Sequence, residues 1–436
     1  MTHQTFRPLL TLAFTFALLL PASLAAQTAA AADQAATDQN DSLIEATPVV
    51  TEFHFTDKND DRSARMTTDA AGNFYVAAGI GSSSHRSGLA VLKYKFNGEF
   101  QGAFRYKLTP GDFQGTALAV KVDKDSNIYA AGFTVMSGEV VSFTPSGAQR
   151  WAAKFNGQPL ALAIDQSGNI YAAGSGGGGT SLVWVLVKYS STGQVLWEQH
   201  HTGIAGDDSR VTDMQLDSLG NPIVLGTTSN SLAKLTNNMT VAKYDPNGNL
   251  LWAKDFTAVA NQSQIPGGLA IDGSGSVYAT GATNPPEGLA MPFTVKYDNN
   301  GNLVFVLSGN GAGGTSVALD PSGNILLTGQ VVNFGTVTST TASKIRPSGA
   351  QIWLTPITAT GKIVSDSVGH AFIAGSFNSN YLITKLTPKG KEIFESRFAL
   401  ANEVTDAVVD PFGNLLVTGT GVNAIFEDDI FTLRLK

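Results

Sequence analysis

One phrase recurs along nearly the whole chain, and a chain that repeats itself at a short, regular interval has few ways to fold. Its clearest copy is LAIDQSGNIYAAG, residues 162 to 174. The aspartate that anchors it returns as Asp69, Asp123, Asp165, Asp217, Asp272, Asp320, Asp366 and Asp410, at intervals of 42 to 55 residues. In each copy an alternating apolar segment runs into Asp-x-x-Gly, and a segment rich in Ile, Val, Tyr and Leu runs out to a glycine, which is the pattern of a hairpin. Asp320-Pro321-Ser322-Gly323 and Asp410-Pro411-Phe412-Gly413 carry the residues a type I turn prefers at its first, second and fourth positions. Roughly twenty residues on, a second hairpin follows, as in VAKYDPNGNLLWAKDF, residues 241 to 256.

Each repeat is therefore four short strands, a to d, and no segment between them keeps a helical period long enough for a helix. Four-stranded units at this spacing stack radially, because each small sheet must bury both faces against its neighbours. The expected fold is all-β: a single β-propeller of eight four-stranded blades, with seven blades as the alternative. The last repeat stops after strand c, and Pro48 to Phe55 reads as a lone strand able to supply its missing d. Pairing the N- and C-terminal strands would close the ring and remove its open sheet edges. An aromatic four residues after the second-turn glycine (Trp151, Trp197, Trp252, Phe305, Trp353, Phe394) is expected to pack between blades. The lysine near the end of strand c (Lys93, Lys188, Lys243, Lys296, Lys344, Lys385) is expected to be solvated or to guard a sheet edge.

The ends of the chain bear on where the protein works. Residues 1–25 carry Arg7, a short apolar run from Pro8 to Leu20 and small residues at Ser23 and Ala25, the order expected of a signal peptide. Residues 26–47, rich in Ala, Asp, Gln and Thr, read as a disordered leader before the propeller domain at 48–436. No cysteine follows the apolar run for a lipid to attach to, and no second run reaches membrane length, so a soluble periplasmic or secreted protein that is not a lipoprotein is expected. The complete absence of cysteine also excludes disulfides, thiolate metal sites and cysteine nucleophiles. A formal charge of −7, made more negative by removal of Arg7, argues against nucleic acid. A monomer is expected.

DQSGNIYAAG (165 to 174), followed by KYSSTGQVLW (188 to 197), resembles the repeats of secreted bacterial β-propeller proteins. More distantly it is similar to NHL repeats and to the tryptophan-bearing repeats of quinoprotein-like propellers. The resemblance spans about residues 48–436 and rests on turn and packing residues. It implies export and a role in recognition or surface assembly.

Both short hairpin turns of a repeat fall on one face of such a ring. The opposite face carries the b-to-c and d-to-a connections, which vary in length and composition and are the natural place for a site. Three groups on it stand out. Asp57, Asn59 and Asp61 have the alternate spacing of oxygen ligands for Ca²⁺, the one cofactor the sequence suggests. The sixth position is Arg62 instead of Gly and the twelfth is Thr68 instead of Glu, which favours a solvated loop. His200 and His201 with Asp207, Asp208 and Arg210 could pair imidazole with carboxylate, though adjacent strand residues point to opposite sides. Glu427, Asp428 and Asp429 form an acidic loop that could meet a basic partner. By contrast, Asp123-x-Asp125-x-Asn127 reads as the repeat's own turn with Ser126 in place of glycine.

The chain has no Gly-x-Ser-x-Gly elbow, no His-Glu-x-x-His and no phosphate-binding loop, and a quinoprotein dehydrogenase would carry adjacent cysteines. Two readings remain. The leading one is a recognition or scaffold propeller that binds a protein or glycan partner through its variable-loop face. The alternative is an extracellular polysaccharide lyase or hydrolase with its active site on the same face.

Overall fold

The computed structural model describes residues 50–55, 61–82, 85–106, 115–134, 137–178, 181–202, 209–231, 236–285, 288–399, 403–422 and 428–436. The expected signal peptide and leader lie outside these. The described strands form eight antiparallel sheets of four strands in a-b-c-d order, and apart from the closure only the short strand Leu289–Ala290, between strands b and c of blade 5, joins another blade's sheet, the sixth. Blade 1 runs from Arg62 to Arg105, blade 2 from Gly115 to Phe155, blade 3 from Gln158 to His201 and blade 4 from Arg210 to Phe256. Blades 5, 6 and 7 follow over Ser263–Ser308, Ser316–Pro356 and Gly361–Phe398. Blade 8 takes strands a, b and c from Glu403–Leu435 and its d from Val50–Phe55, paired Val50 to Leu435 through Phe55 to Ile430. This is the eight-bladed ring closed by its two ends that the repeat count requires. Among the described residues no helix is long and apolar enough to cross a membrane.

The repeated phrase builds its turn with local hydrogen bonds. In blade 3 the amide of Gly168 donates to the Asp165 carbonyl and the amide of Asp165 to that of Asn169, closing the turn with Gly168 at φ +79°. Asp165 Oδ1 accepts the amides of Ser167 and Asn169, while Oδ2 accepts the Asn169 side chain. Blade 2 repeats this with Ser126 at φ +60° in the glycine's place, so Asp123, Asp125 and Asn127 make a turn.

Between blades the cores are continuous apolar layers, for example Val185, Val187 and Tyr189 of blade 3 against Tyr129, Ala131 and Val140 of blade 2. The strand-d aromatics lie on the second-turn glycine of the next blade. A Cβ at Gly193 would stand 2.6 Å from Trp151, and Trp151 Nε1 donates to the Ser191 carbonyl in that turn. Trp197, Trp252 and Trp353 make the equivalent bonds to Pro246, Asn299 and Pro388. Blade 1 has Gly102 where the others have an aromatic, and Phe104, two residues on, covers Gly147 instead. At the closure Phe53 plays the same part, lying over Gly98 and packed against Phe74 and Tyr94.

The strand-c lysines correct the sequence reading. Lys188, Lys243, Lys296 and Lys344 are buried, not solvated. Lys243 pairs with Asp217 at 2.8 Å, Lys344 with Asp320 at 2.6 Å and Lys188 with Asp165 at 3.4 Å. Each also reaches across to the next blade's second turn: Lys188 to the Pro246 carbonyl, Lys243 to Asn299 Oδ1 and Lys344 to the Pro388 carbonyl. The physical reason is that the turn aspartate, itself shielded, needs a cation, and radial stacking brings a neighbour's carbonyl within reach. Burial alone would raise the carboxyl pKa of Asp217 and Asp320, but the bonds from the lysine, the asparagine and the backbone outweigh it and hold both below the ordinary range.

Candidate functional site

Only some of the sequence-selected loop residues are among those described. Asp57 and Asn59 lie outside the described residues, so of the calcium triplet only Asp61 is placed; it is fully buried at the entry to strand a of blade 1. Asp207, Asp208 and Glu427 also lie outside, as does the side chain of Asp428. Asp429 is buried at the start of strand c of blade 8, opposite Gly421, and its Oδ1 has no hydrogen-bond partner among the described residues. Arg210 opens strand a of blade 4 and is exposed. The adjacent histidines do point apart. His200 pairs with Glu198 on the exposed outer strand at 2.7 Å, whereas His201 packs its ring on Trp184 at 5.1 Å between centroids. Burial pushes the His201 pKa down, and Asp255 pushes it partly back up. Among the described residues no three His, Asp or Glu side chains gather as a metal site would require.

Two other features stand out once the ring is built. The first is the central channel, a cavity of about 710 Å³ lined by strand a of all eight blades. Most of its wall is Ala, Val, Leu and Ile, but five ionisable side chains enter it: Arg65, Lys121, Asp213, Lys362 and Asp406. Arg65 of blade 1 reaches blade 4, where it pairs with Asp213 at 3.5 Å and donates to the Thr212 carbonyl. Asp406 of blade 8 accepts the Met66 amide of blade 1 at 2.9 Å and lies 3.8 Å from Lys362 of blade 7. Lys121 of blade 2 is exposed within the channel, and no carboxylate among the described residues lies within ion-pairing distance of its ammonium. Enclosure by protein pushes its pKa down. Asp406 and Asp213 act the other way, while Arg65 and Lys362 add to the fall.

Sequence reasoning missed this layer, yet its signal was present. Arg65, Asp213, Lys362 and Asp406 each stand four residues before their turn aspartate, where blades 2, 3, 5 and 6 have Ala119, Ala161, Gly268 and Ser316. Aligning repeats on that aspartate exposes charge on the innermost strand, where repeat packing gives it no role.

The second feature is a hairpin on the long-connection face. Strands b and c of blade 6 meet in a two-residue turn, Asn333 pairing with Thr336, with Phe334 at φ +47° and Gly335 at φ +75°. Two positive φ values define a turn that normally calls for Asn-Gly. Blade 7 makes the same turn with Asn378 and Ser379, at φ +49° and +58°. A phenyl side chain is the anomaly, and Phe334 is 74% exposed. The tip is held in place from blade 5: Leu289 and Ala290 pair with Asn333 and Val332, and the Phe334 amide donates to the Gly288 carbonyl. Leu289 and Val337 beside it are exposed as well.

On the short-turn face a smaller cavity of about 460 Å³ lies between the turns of blades 2 and 3. It forms where Ser142 replaces the strand-c lysine, and Arg150 substitutes by bonding Tyr129, Ser142 and the Ser191 carbonyl.

No family model matches the chain, and no curated protein is significantly similar to it in sequence. Its fold is similar to that of solved propellers. Sqt1 from Chaetomium thermophilum is 10% identical, with a TM-score of 0.56 over 89% of this chain and 99% of that one. Virginiamycin B lyase from Staphylococcus aureus is 11% identical, with a TM-score of 0.47 over 89% and 100%. Polysaccharide lyase Uly1 is 11% identical, with a TM-score of 0.48 over 88% and 98%. At these identities the likeness is one of fold alone: the chain is a β-propeller.

Proposed function

We propose that this protein is an exported recognition propeller, periplasmic or secreted, that binds a protein or glycan partner through its long-connection face. Phe334 carries the reading. A bulky residue in the left-handed region costs about 1–3 kcal/mol, and its side chain recovers little of this by burial because it is 74% exposed. Blade 7 makes the same turn with Asn at the first position, so a less strained residue was available to the fold. The turn is also anchored from the neighbouring blade, which preorganises the phenyl to stack on a sugar ring or enter an apolar pocket. The kinship of the repeats with secreted NHL-type and quinoprotein-like propellers belongs to the same proposal.

The test is capture. Immobilised protein is offered native extracellular extract and a panel of polysaccharides, with Phe334→Asn compared against a control altered at Ser167 and Ser322 in the short turns. Loss of the captured ligand with Phe334→Asn alone supports the reading; loss only in the control refutes it.

A second reading, an extracellular polysaccharide lyase or hydrolase, draws support from Lys121. A lysine in a cavity with its pKa lowered by enclosure is the kind of group that can accept a proton. Release of unsaturated or reducing sugar ends by the wild type, lost with Lys121→Met, would favour it.

A further inference from the structure

We propose that the central channel is a binding site for a small organic monocarboxylate, with the Lys121 ammonium as its counter-ion. This goes beyond partner recognition on the long-connection face and stands on different residues.

Three cations and two carboxylates line the cavity, so one positive charge is left over. Arg65 and Lys362 are engaged by Asp213 and Asp406, and Asp406 is further held by the Met66 amide. The surplus therefore falls on Lys121. An ammonium in enclosed water, with low-dielectric walls around it, attracts an anion far more strongly than one on an open surface. One carboxylate would neutralise the layer; a phosphate dianion would overshoot it.

Lys362, Asp406, Arg65 and Lys121 come from blades 7, 8, 1 and 2, which are consecutive because the ring is closed. Blades 3, 5 and 6 contribute Ala161, Ala163, Gly268, Ala270 and Ala318 to the same cavity. Blades 7, 8, 1 and 2 thus form an ionic side, and the side facing it is small and apolar except at blade 4, which brings Gln215 and the Asp213 that pairs with Arg65. The small side chains leave room for a ligand body while the ionic side orients its head. The Lys121 side chain is exposed within the channel, which leaves it accessible to a ligand.

Benzoate serves as the probe, with benzamide and inorganic phosphate as contrasts, titrated calorimetrically into the intact protein. Wild type should bind benzoate, bind benzamide not at all and bind phosphate more weakly. Lys121→Met should weaken benzoate by about 10-fold or more, and Lys121→Arg should keep it within a few fold. Circular dichroism and the urea midpoint confirm that both variants are folded. Above neutral pH, benzoate binding to the wild type should take up protons, because a carboxylate beside the ammonium stabilises its charged form; Lys121→Met should take up none. Equal benzoate binding by Lys121→Met, tighter binding of phosphate than of benzoate, or no benzoate binding by the wild type at millimolar concentration overturns the proposal. Partner capture that fails while this titration succeeds would count against the recognition reading alone.

Discussion

The two faces of the ring use the same kinds of residue to opposite ends. On the short-turn face each turn aspartate accepts at least two backbone amides and is then claimed by side chains, Asn221 and Lys243 for Asp217, Asn324 and Lys344 for Asp320. Lys188, Lys243, Lys296 and Lys344 there are buried and span to the next blade. On the long-connection face a phenylalanine is held strained and exposed, while the next blade makes the same turn with ordinary turn residues. The lesson is that polarity alone does not mark a working surface. Polar groups that satisfy one another make scaffold, whereas an apolar group held where the fold gains nothing from it points outward.

If the short-turn face is scaffold, the largest effect in the molecule should come from breaking one of its buried pairs. Asp217→Ala leaves the Lys243 ammonium, about 1% exposed, without its carboxylate. It should cost about 3–5 kcal/mol in urea unfolding. The exposed pair Lys95–Glu99 is the internal control, and removing Glu99 should change little. Similar small costs at both sites would mean that the buried pairs of the short-turn face do not hold the scaffold together.

Acid should act on the same network next. The folded pKa values of Asp165, Asp217, Asp320 and Asp366 are held low: burial opposes this, but hydrogen bonds and neighbouring cations win. A depressed carboxyl pKa contributes stability that is complete above the unfolded value and is lost as pH falls through the folded one. The urea midpoint should therefore hold from neutrality down to about pH 4 and fall steeply below it. A midpoint that is level down to pH 2 would mean these carboxylates do not stabilise the ring.

The smallest effect has the opposite sign. Phe334→Asn should raise stability by about 1 kcal/mol by relieving the left-handed phenylalanine, while abolishing ligand capture. Gain of stability with loss of binding is the signature of strain kept for function. A destabilised Phe334→Asn would mean that the phenyl packs on its own hairpin.

Much of the scaffold was legible because its chemistry is local. Asp-x-x-Gly-Asn carries its own turn, its recurrence counts the blades, and the unpaired strand at Val50–Phe55 announces the closure. Other features depend on residues far apart in the chain. Lys188 looked like a strand-end cation because the carbonyl it binds, Pro246, is a blade away. The channel layer joins Arg65 to Asp213 and Met66 to Asp406 across intervals no local pattern spans, though alignment of the repeats would have shown unexplained charge on strand a. Phe334 was hidden differently: Asn333-Phe334-Gly335-Thr336 reads as an ordinary loop until the pairing of Asn333 with Thr336 forces both central residues to positive φ.

The division of labour between the faces is tested most directly by amide hydrogen exchange with and without the captured ligand. The account predicts protection confined to the long-connection face, centred on Val332–Val337 of blade 6 and Gly288–Ala290 of blade 5, with the short turns at Asp165–Gly168 and Asp320–Gly323 unchanged. Protection at those turns, with the Phe334 hairpin exchanging as freely as in the unbound protein, would contradict it.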